Sequence, residues 1–195
     1  MIFAFVFIFH IGFSAVPAVL MKNGQTNAAV LIYRYYRLLC HQLPQRSYFL
    51  FGPQSIYPLN VQEKSGMISI EQAAGFVPDT FSGKTFYGTP EMGYKTAICQ
   101  RDIAIYGAMA LFCVVFTLSG NRMGRLHPVA ALLIGALPMA LDGGTQLLGN
   151  TFPKVFPPRE STPLLRTVTG VLFGFCLCWY LFPFLEQSLR EGETE

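Results

Sequence analysis

Three groups of residues in this chain carry side chains able to bind ions, hold buried charge or exchange protons. Cys40-His41 opens the first, continuing through Gln42-Leu43-Pro44-Gln45-Arg46-Ser47, and Cys99-Gln100-Arg101-Asp102 is the second. Thiolate, imidazole and carboxylate suit zinc and other borderline metals, so Cys40, His41, Cys99 and Asp102 are candidate metal ligands. The usual Cys-x-x-Cys pair is absent, because Asp102 stands at the second cysteine's place. The competing reading is a hydrogen-bond network at the membrane surface, with Arg46 and Arg101 pairing with Asp102 and Ser47 joining them. Residue chemistry by itself favours that network.

The third group starts inside the apolar run Leu132–Leu148, which Asp142-Gly143-Gly144-Thr145-Gln146 interrupts. An ionisable residue within a hydrocarbon-compatible helix costs about 2.5–3.5 kcal/mol on insertion scales, and usually faces a bundle interior with a partner. Asp142, Thr145 and Gln146 are spaced i, i+3, i+4, which puts all three on one helical face. Downstream lie Arg159-Glu160-Ser161-Thr162 and Arg166. Arg166 is the expected partner of Asp142, since a buried carboxylate needs a cation and arginine offers a bidentate fork. Two readings stand side by side. Either Asp142, Thr145, Gln146, Arg159, Ser161, Thr162 and Arg166 form a ligand-holding or buried polar network, or the segment is packing glue. In the second case Gly135, Gly143 and Gly144 let helices approach. No phosphate loop, nucleophile elbow or zincin helix is present, so no catalytic residue is assigned.

The elements that must position these groups follow from composition. Of 195 residues, 52% are hydrophobic and only 13% charged, against about 25% charged in soluble domains. The charge deficit concentrates in Met1–Met21, Ile103–Ser119, Pro128–Leu148 and Pro163–Leu185, each near the ~17–25 residues that span a bilayer. The expected fold is all-α, a multi-pass membrane bundle of about four transmembrane helices with a mostly irregular polar insert. Residues 1–21 form the first span; 22–102 hold a membrane-surface amphipathic helix and a polar loop segment. Residues 103–188 form a three-helix transmembrane core, and 189–195 a solvated tail. The first segment lacks a basic n-region and outruns the 7–15 residues of a signal peptide's apolar core, so it reads as a retained span.

Within the insert, Asn27 to His41 reads as a helix whose tyrosines and arginines suit the headgroup layer. Ser69 to Gly75 reads as a short helix, capped by Ser69 and stopped by Gly75. The remainder is loop, too aromatic (Phe76, Phe81, Phe86, Tyr87) for a disordered linker, and is expected to lie against the membrane face of the bundle. Thr162 before Pro163 marks the start of the last helix. Cys113, Cys176 and Cys178 fall within spans, where a thiol behaves as a small apolar group. Cys40 and Cys99 lie outside and can pair only if their side faces an oxidising compartment. Positive charges in the short loops (Arg122 and Arg125 against Lys154 and Arg159) tie, so orientation is open. The scattered Lys and Arg residues and a formal charge of +3 exclude nucleic acid as a partner.

Four ordered motifs then carry a resemblance. They are Cys40-His-Gln-Leu-Pro-x-Arg46-Ser47, Cys99-x-Arg101-x-x-x-Ile105-Tyr106, Pro138-Met-Ala-Leu-Asp142-Gly143-x-Thr145-Gln146-Leu-Leu-Gly, and Arg159-Glu-Ser161-Thr162-x-x-Leu-Arg166-x-x-Thr169-Gly170. Over about residues 38–175 the chain resembles the predicted membrane proteins called domain of unknown function 2085. The resemblance implies a small helical membrane protein and no activity. Many members show C-A-R-C and a short gap after the first motif. This chain has Asp102 at the second cysteine and a long insertion from about Pro53 to Thr96.

The functional expectation is an integral multi-pass protein of a prokaryotic cytoplasmic membrane, acting as a non-catalytic binding or accessory subunit. Its expected surroundings are the lipid bilayer and other membrane proteins or further copies of itself. The alternative is a membrane enzyme or transporter using the Cys/His/Asp surface site, with a metal ion as its candidate cofactor, together with the Asp142 network.

Overall fold

The computed structural model describes residues 1–61, 66–78, 82–157 and 159–192. Phe81 and residues 193–195 of the expected tail lie outside them. Among the described residues, four helices are long and apolar enough to cross a bilayer: α1 (Ile2–Lys22), α5 (Gln100–Leu118), the stretch Pro128–Gly149, and Pro163–Leu189. The helical part of the expectation therefore holds. The all-α description needs correction, because the insert contains a three-stranded antiparallel sheet. The chain divides into two compact units, residues 10–103 and residues 1–9 with 104–195.

In the unit 10–103, α2 (Thr26–Tyr36) stops five residues before the expected His41. Ala29, Tyr33 and Tyr36 are buried, a spacing of i, i+4, i+7 that puts one helical stripe inward. A 3₁₀ turn, Pro44–Arg46, leads into β1 (Ser47–Leu50). α3 (Ile70–Ala74) is the expected short helix. Ser69 accepts a hydrogen bond from the Gln72 amide, the Gln72 side chain accepts one from the Ser69 amide, and Gly75 ends the helix at φ +78°. That reciprocal cap and left-handed stop are what the residue types dictate. After α4 (Ser82–Thr85), β2 (Gly88–Thr89) and β3 (Gly93–Cys99) form a tight hairpin. The sheet order is β1-β3-β2. At Gly88 a Cβ would sit 2.0 Å from the Gly93 carbonyl oxygen, so only glycine permits this approach. Phe49, Tyr57, Ile70 and Met92 form the core under the sheet, and Phe76 meets Phe86 edge to face. The expected loop is thus a small packed fold.

In the other unit, a short helix α6 (Pro128–Ala130) runs into a π-helical turn, Ala131–Ala136, and then α7 (Leu137–Thr151). Pro138 accounts for the π turn. Its ring conflicts with the carbonyl four residues back, and one widened turn relieves that conflict. The final helix α8 (Pro163–Gly192) begins as expected, with the Thr162 hydroxyl accepting from the Leu165 amide. It continues through 189–192, which the sequence assigned to the tail. Phe112, Phe116 and Cys178 centre the core, with Phe175, Trp179 and Phe182 packed around them.

Candidate functional site

Pairing of β1 with β3 sets Ser47 opposite Cys99, and this register carries the preceding 40–46 segment to the end of β3. Cys99 closes β3, and Asp102 lies in the first turn of α5, where unpaired amides favour negative charge. The result is a cluster of Cys40, Cys99 and Asp102, whose ligand atoms all lie within 4.8 Å of one another. Cys99 Sγ donates to Asp102 Oδ2 at 3.2 Å. The Cys99 thiol bonded to it, burial, and the nearby Asp102 push the Cys40 thiol well above its ordinary range. All five cysteines are free thiols.

His41 stands apart. Cys40 and Gln42 are buried while His41 is exposed, and the set within 4.8 Å consists of Cys40, Cys99 and Asp102. Arg46 and Arg101 are each half-buried and each has a partner, and Ser47 is buried, donating to the Leu43 carbonyl at 3.1 Å.

Sequence reasoning missed the residues that hold this cluster in place. Gln42, with φ +54°, is fully buried and donates through Nε2 to the carbonyls of Tyr33 and Ala97 at 2.8 and 2.9 Å. Its own carbonyl accepts from Lys95 Nζ at 2.5 Å, and Gly83 accepts from the same ammonium at 2.7 Å. Lys95 is 0% exposed. Burial, reinforced by Arg37 and opposed by Cys40, brings its pKa down to about 7. Tyr33 donates to the Lys95 carbonyl at 2.5 Å and stacks on Tyr87 at 4.4 Å between ring centres. The signal for Lys95 lay in strand periodicity, since Lys95, Ala97 and Cys99 alternate onto one face, but it required recognising β3.

The second candidate site lies within the other unit. Asp142 is 4% exposed. Its carboxylate accepts from Ser161 at 2.7 Å and from Arg159 at 3.1 Å. Arg159 also donates to Thr145 at 2.7 Å. The buried Arg166 donates to Glu160. The structure therefore adds Arg159 as a cation on Asp142 and Glu160 as a carboxylate on Arg166. Gln146 is buried beside Asp142 on α7, and its Nε2 has no partner among the described residues. Thr145 is exposed at the rim, so the i, i+3, i+4 face is only two-thirds inward. Thr162 serves as the cap of α8. Of the three glycines assigned to close approach, Gly135 fits: a Cβ there would sit 2.7 Å from Cys176 Cβ. A Cβ on Gly144 would meet nothing within 4 Å. Gly174, not singled out in the sequence, comes closer still, 2.4 Å from the Ile105 carbonyl oxygen.

The family resemblance is borne out by a family model that spans the last three of the four motifs. The model for domain of unknown function 2085, described as a predicted membrane protein, matches residues 91–180. An uncharacterised protein of Methanocaldococcus jannaschii is 27% identical over 162 residues, covering 83% of this chain and 72% of that relative. No solved structure matches. Together with the four apolar helices, these findings make the chain a predicted membrane protein of unknown function.

Proposed function

We propose that this chain is a non-catalytic, metal-binding membrane protein in which Cys40, Cys99 and Asp102 hold one thiophilic divalent cation. The observation that carries this reading is the convergence of two thiols and a carboxylate within 4.8 Å, from positions about 60 residues apart in the chain. A tetrahedral ion with sulfur ligands at 2.3 Å needs sulfur atoms about 3.8 Å apart, so a small inward shift completes the shell. Three protein ligands leave one coordination position for solvent or for a group from a partner. An accessory subunit that docks another membrane protein, or a second copy, through that position fits this geometry. The archaeal relative supports a prokaryotic cytoplasmic membrane, where thiols on the cytoplasmic side stay reduced.

The test is zinc binding by the purified, reduced full chain, measured against a competing chromophoric chelator. One equivalent of Zn²⁺ is expected, with Cys40→Ser, Cys99→Ser and Asp102→Asn each weakening binding at least tenfold and Arg159→Gln leaving it unchanged. Equal binding by the wild type and the Cys40→Ser/Cys99→Ser double variant overturns the reading. So does a Cys40–Cys99 disulfide in protein isolated under thiol-blocking conditions. The alternative of a membrane enzyme draws on the same open position, and hydrolytic turnover that follows zinc occupancy would establish it.

A further inference from the structure

We propose that the unit containing α6 to α8 carries a seat for one anionic phospholipid, independent of the metal cluster. Where the π turn faces α8, the structure leaves a cavity of about 200 Å³. Ala131, Leu132, Gly135, Phe173, Leu177 and Tyr180 line it. That volume lies below the roughly 300–1,000 Å³ of sites for compact ligands, and its walls are apolar apart from the Tyr180 hydroxyl. A single hydrocarbon chain suits such a recess. Both walls belong to segments long and apolar enough to lie in a bilayer, so the recess opens where lipid chains are.

The polar end of the recess determines which lipid. Arg125 donates to the Tyr180 hydroxyl, and its guanidinium lies 4.1 Å from the Tyr180 ring centre and 4.5 Å from that of Phe184. The aromatic faces hold the cation against Tyr180, the polar residue of the cavity lining. Trp179 beside it donates to the Gly124 carbonyl at 3.0 Å, and an indole and a phenol side by side are typical of the headgroup layer. The connecting stretch, residues 119–127, contributes Arg122, Arg125 and His127 and no acidic residue. A phosphate placed at Arg125 therefore meets positive charge without an opposing carboxylate from its own loop. Arg125 is exposed and keeps guanidinium donors for it, because the tyrosine hydroxyl occupies only one end of its fork. The π turn contributes through shape. It widens the helix at Ala131–Ala136, and Gly135 lets that turn press onto Cys176, leaving the recess beside the contact.

The full chain in mild detergent, titrated with phosphatidylglycerol or phosphatidylcholine and read by native mass spectrometry, tests the seat. One phosphatidylglycerol is expected to survive activation that strips further lipids, and to be held about tenfold more tightly than phosphatidylcholine. Arg125→Gln should abolish that preference, while Arg122→Gln, which removes a cation from the same loop, should preserve it. Ala131→Phe, which fills the recess, should remove the retained lipid of either headgroup. Thermal melts of each variant identify any that have lost their fold, and Tyr180→Phe, a near-isosteric change, gives the milder check by weakening the preference through Arg125. Equal loss from Arg122→Gln and Arg125→Gln would reduce the effect to diffuse surface charge and overturn the proposal. Unchanged retention in folded Ala131→Phe would overturn it as well.

Discussion

The Asp142 network and the Cys40 cluster are built by the same device, a returning segment laid against the end of a regular element, yet their charge bookkeeping differs. Around Asp142 each carboxylate has a guanidinium: Arg159 on Asp142 and Arg166 on Glu160. The set neutralises itself, and nothing further is needed to make its burial tolerable. Around Cys40 the three converging groups are two thiols and a carboxylate, none of which brings positive charge. They are satisfied by protons or by a cation. Balanced charges are sufficient in themselves, whereas the gathered thiols and carboxylate are what the proposed metal site rests on.

The strongest way to break this contrast is to strand a charge in each half of the network. Arg166→Ala should cost about 3–5 kcal/mol, because Glu160 is left largely buried and charged, while Asp142→Ala should cost less, since the side chain of its partner Arg159 is 44% exposed. In the Arg166→Ala/Glu160→Ala double variant much less than the sum should be lost, which a double-mutant cycle on detergent unfolding would show. By contrast, Cys40→Ser in metal-free protein removes no charge and should cost less than about 2 kcal/mol. If the cysteine variant proved as damaging as Arg166→Ala, the cluster would be a structural core and the contrast would fail.

A second measurement probes the lysine behind the cluster. Lys95 has a folded pKa of about 7, below its ordinary 10.5. Between those values the unfolded chain binds the extra proton, so stability rises as pH increases from about 7. The Cys40 thiol acts in the opposite sense, since its folded pKa is raised above the ordinary 9.0; its contribution is lost as pH climbs beyond that value. The window in which Lys95 acts alone of the two is therefore about pH 7 to 8.5. Melting temperature should climb across it in the wild type and stay flat in Lys95→Met. A flat wild-type profile would mean that the ammonium keeps its charge there.

Metal affinity supplies a third, smaller pH effect. The ion must displace the proton of each thiol ligand, so zinc affinity should rise with pH, about tenfold per unit for every thiol still protonated. A chelator competition repeated at pH 6, 7 and 8 reads this slope directly. An unchanged affinity across that range would remove the two thiols from the ligand set.

These contrasts were unequally visible in the chain itself. Spans are read from long apolar runs, and the caps at Ser69 and Thr162 from single residue types, because both are local signals. Asp142, Arg159 and Ser161 were recognisable as a set, since a charged residue in an apolar run must find partners nearby. Which cation meets which carboxylate depends on the path of residues 152–162, and spacing does not reveal it. The sheet stayed hidden because its strands hold four, two and seven residues, too short for periodicity to stand out among glycines and prolines. With it went the roles of Gln42 and Lys95.

The smallest effects decide how α5, α7 and α8 are held together. If small residues were the glue, every glycine in the region would resist substitution. If the polar network does the holding, only those at true backbone contacts would. A Cβ on Gly174 would lie 2.4 Å from a main-chain oxygen of Ile105, and main chain cannot rotate away as a side chain can. Gly174→Ala should therefore destabilise by about 1–3 kcal/mol, the usual cost of overpacking. At Gly144 the same methyl would meet nothing within 4 Å, while helix propensity favours alanine over glycine by about 0.8–1.0 kcal/mol. Gly144→Ala should thus be neutral to stabilising, although it lies between Asp142 and Gln146. Thermal melts of the two variants give the answer by their signs. Destabilisation at Gly144 would show a close helix contact along the Asp142 segment and return it to the role of packing glue; stabilisation leaves Asp142, Arg159 and Ser161 as what joins α7 to the start of α8.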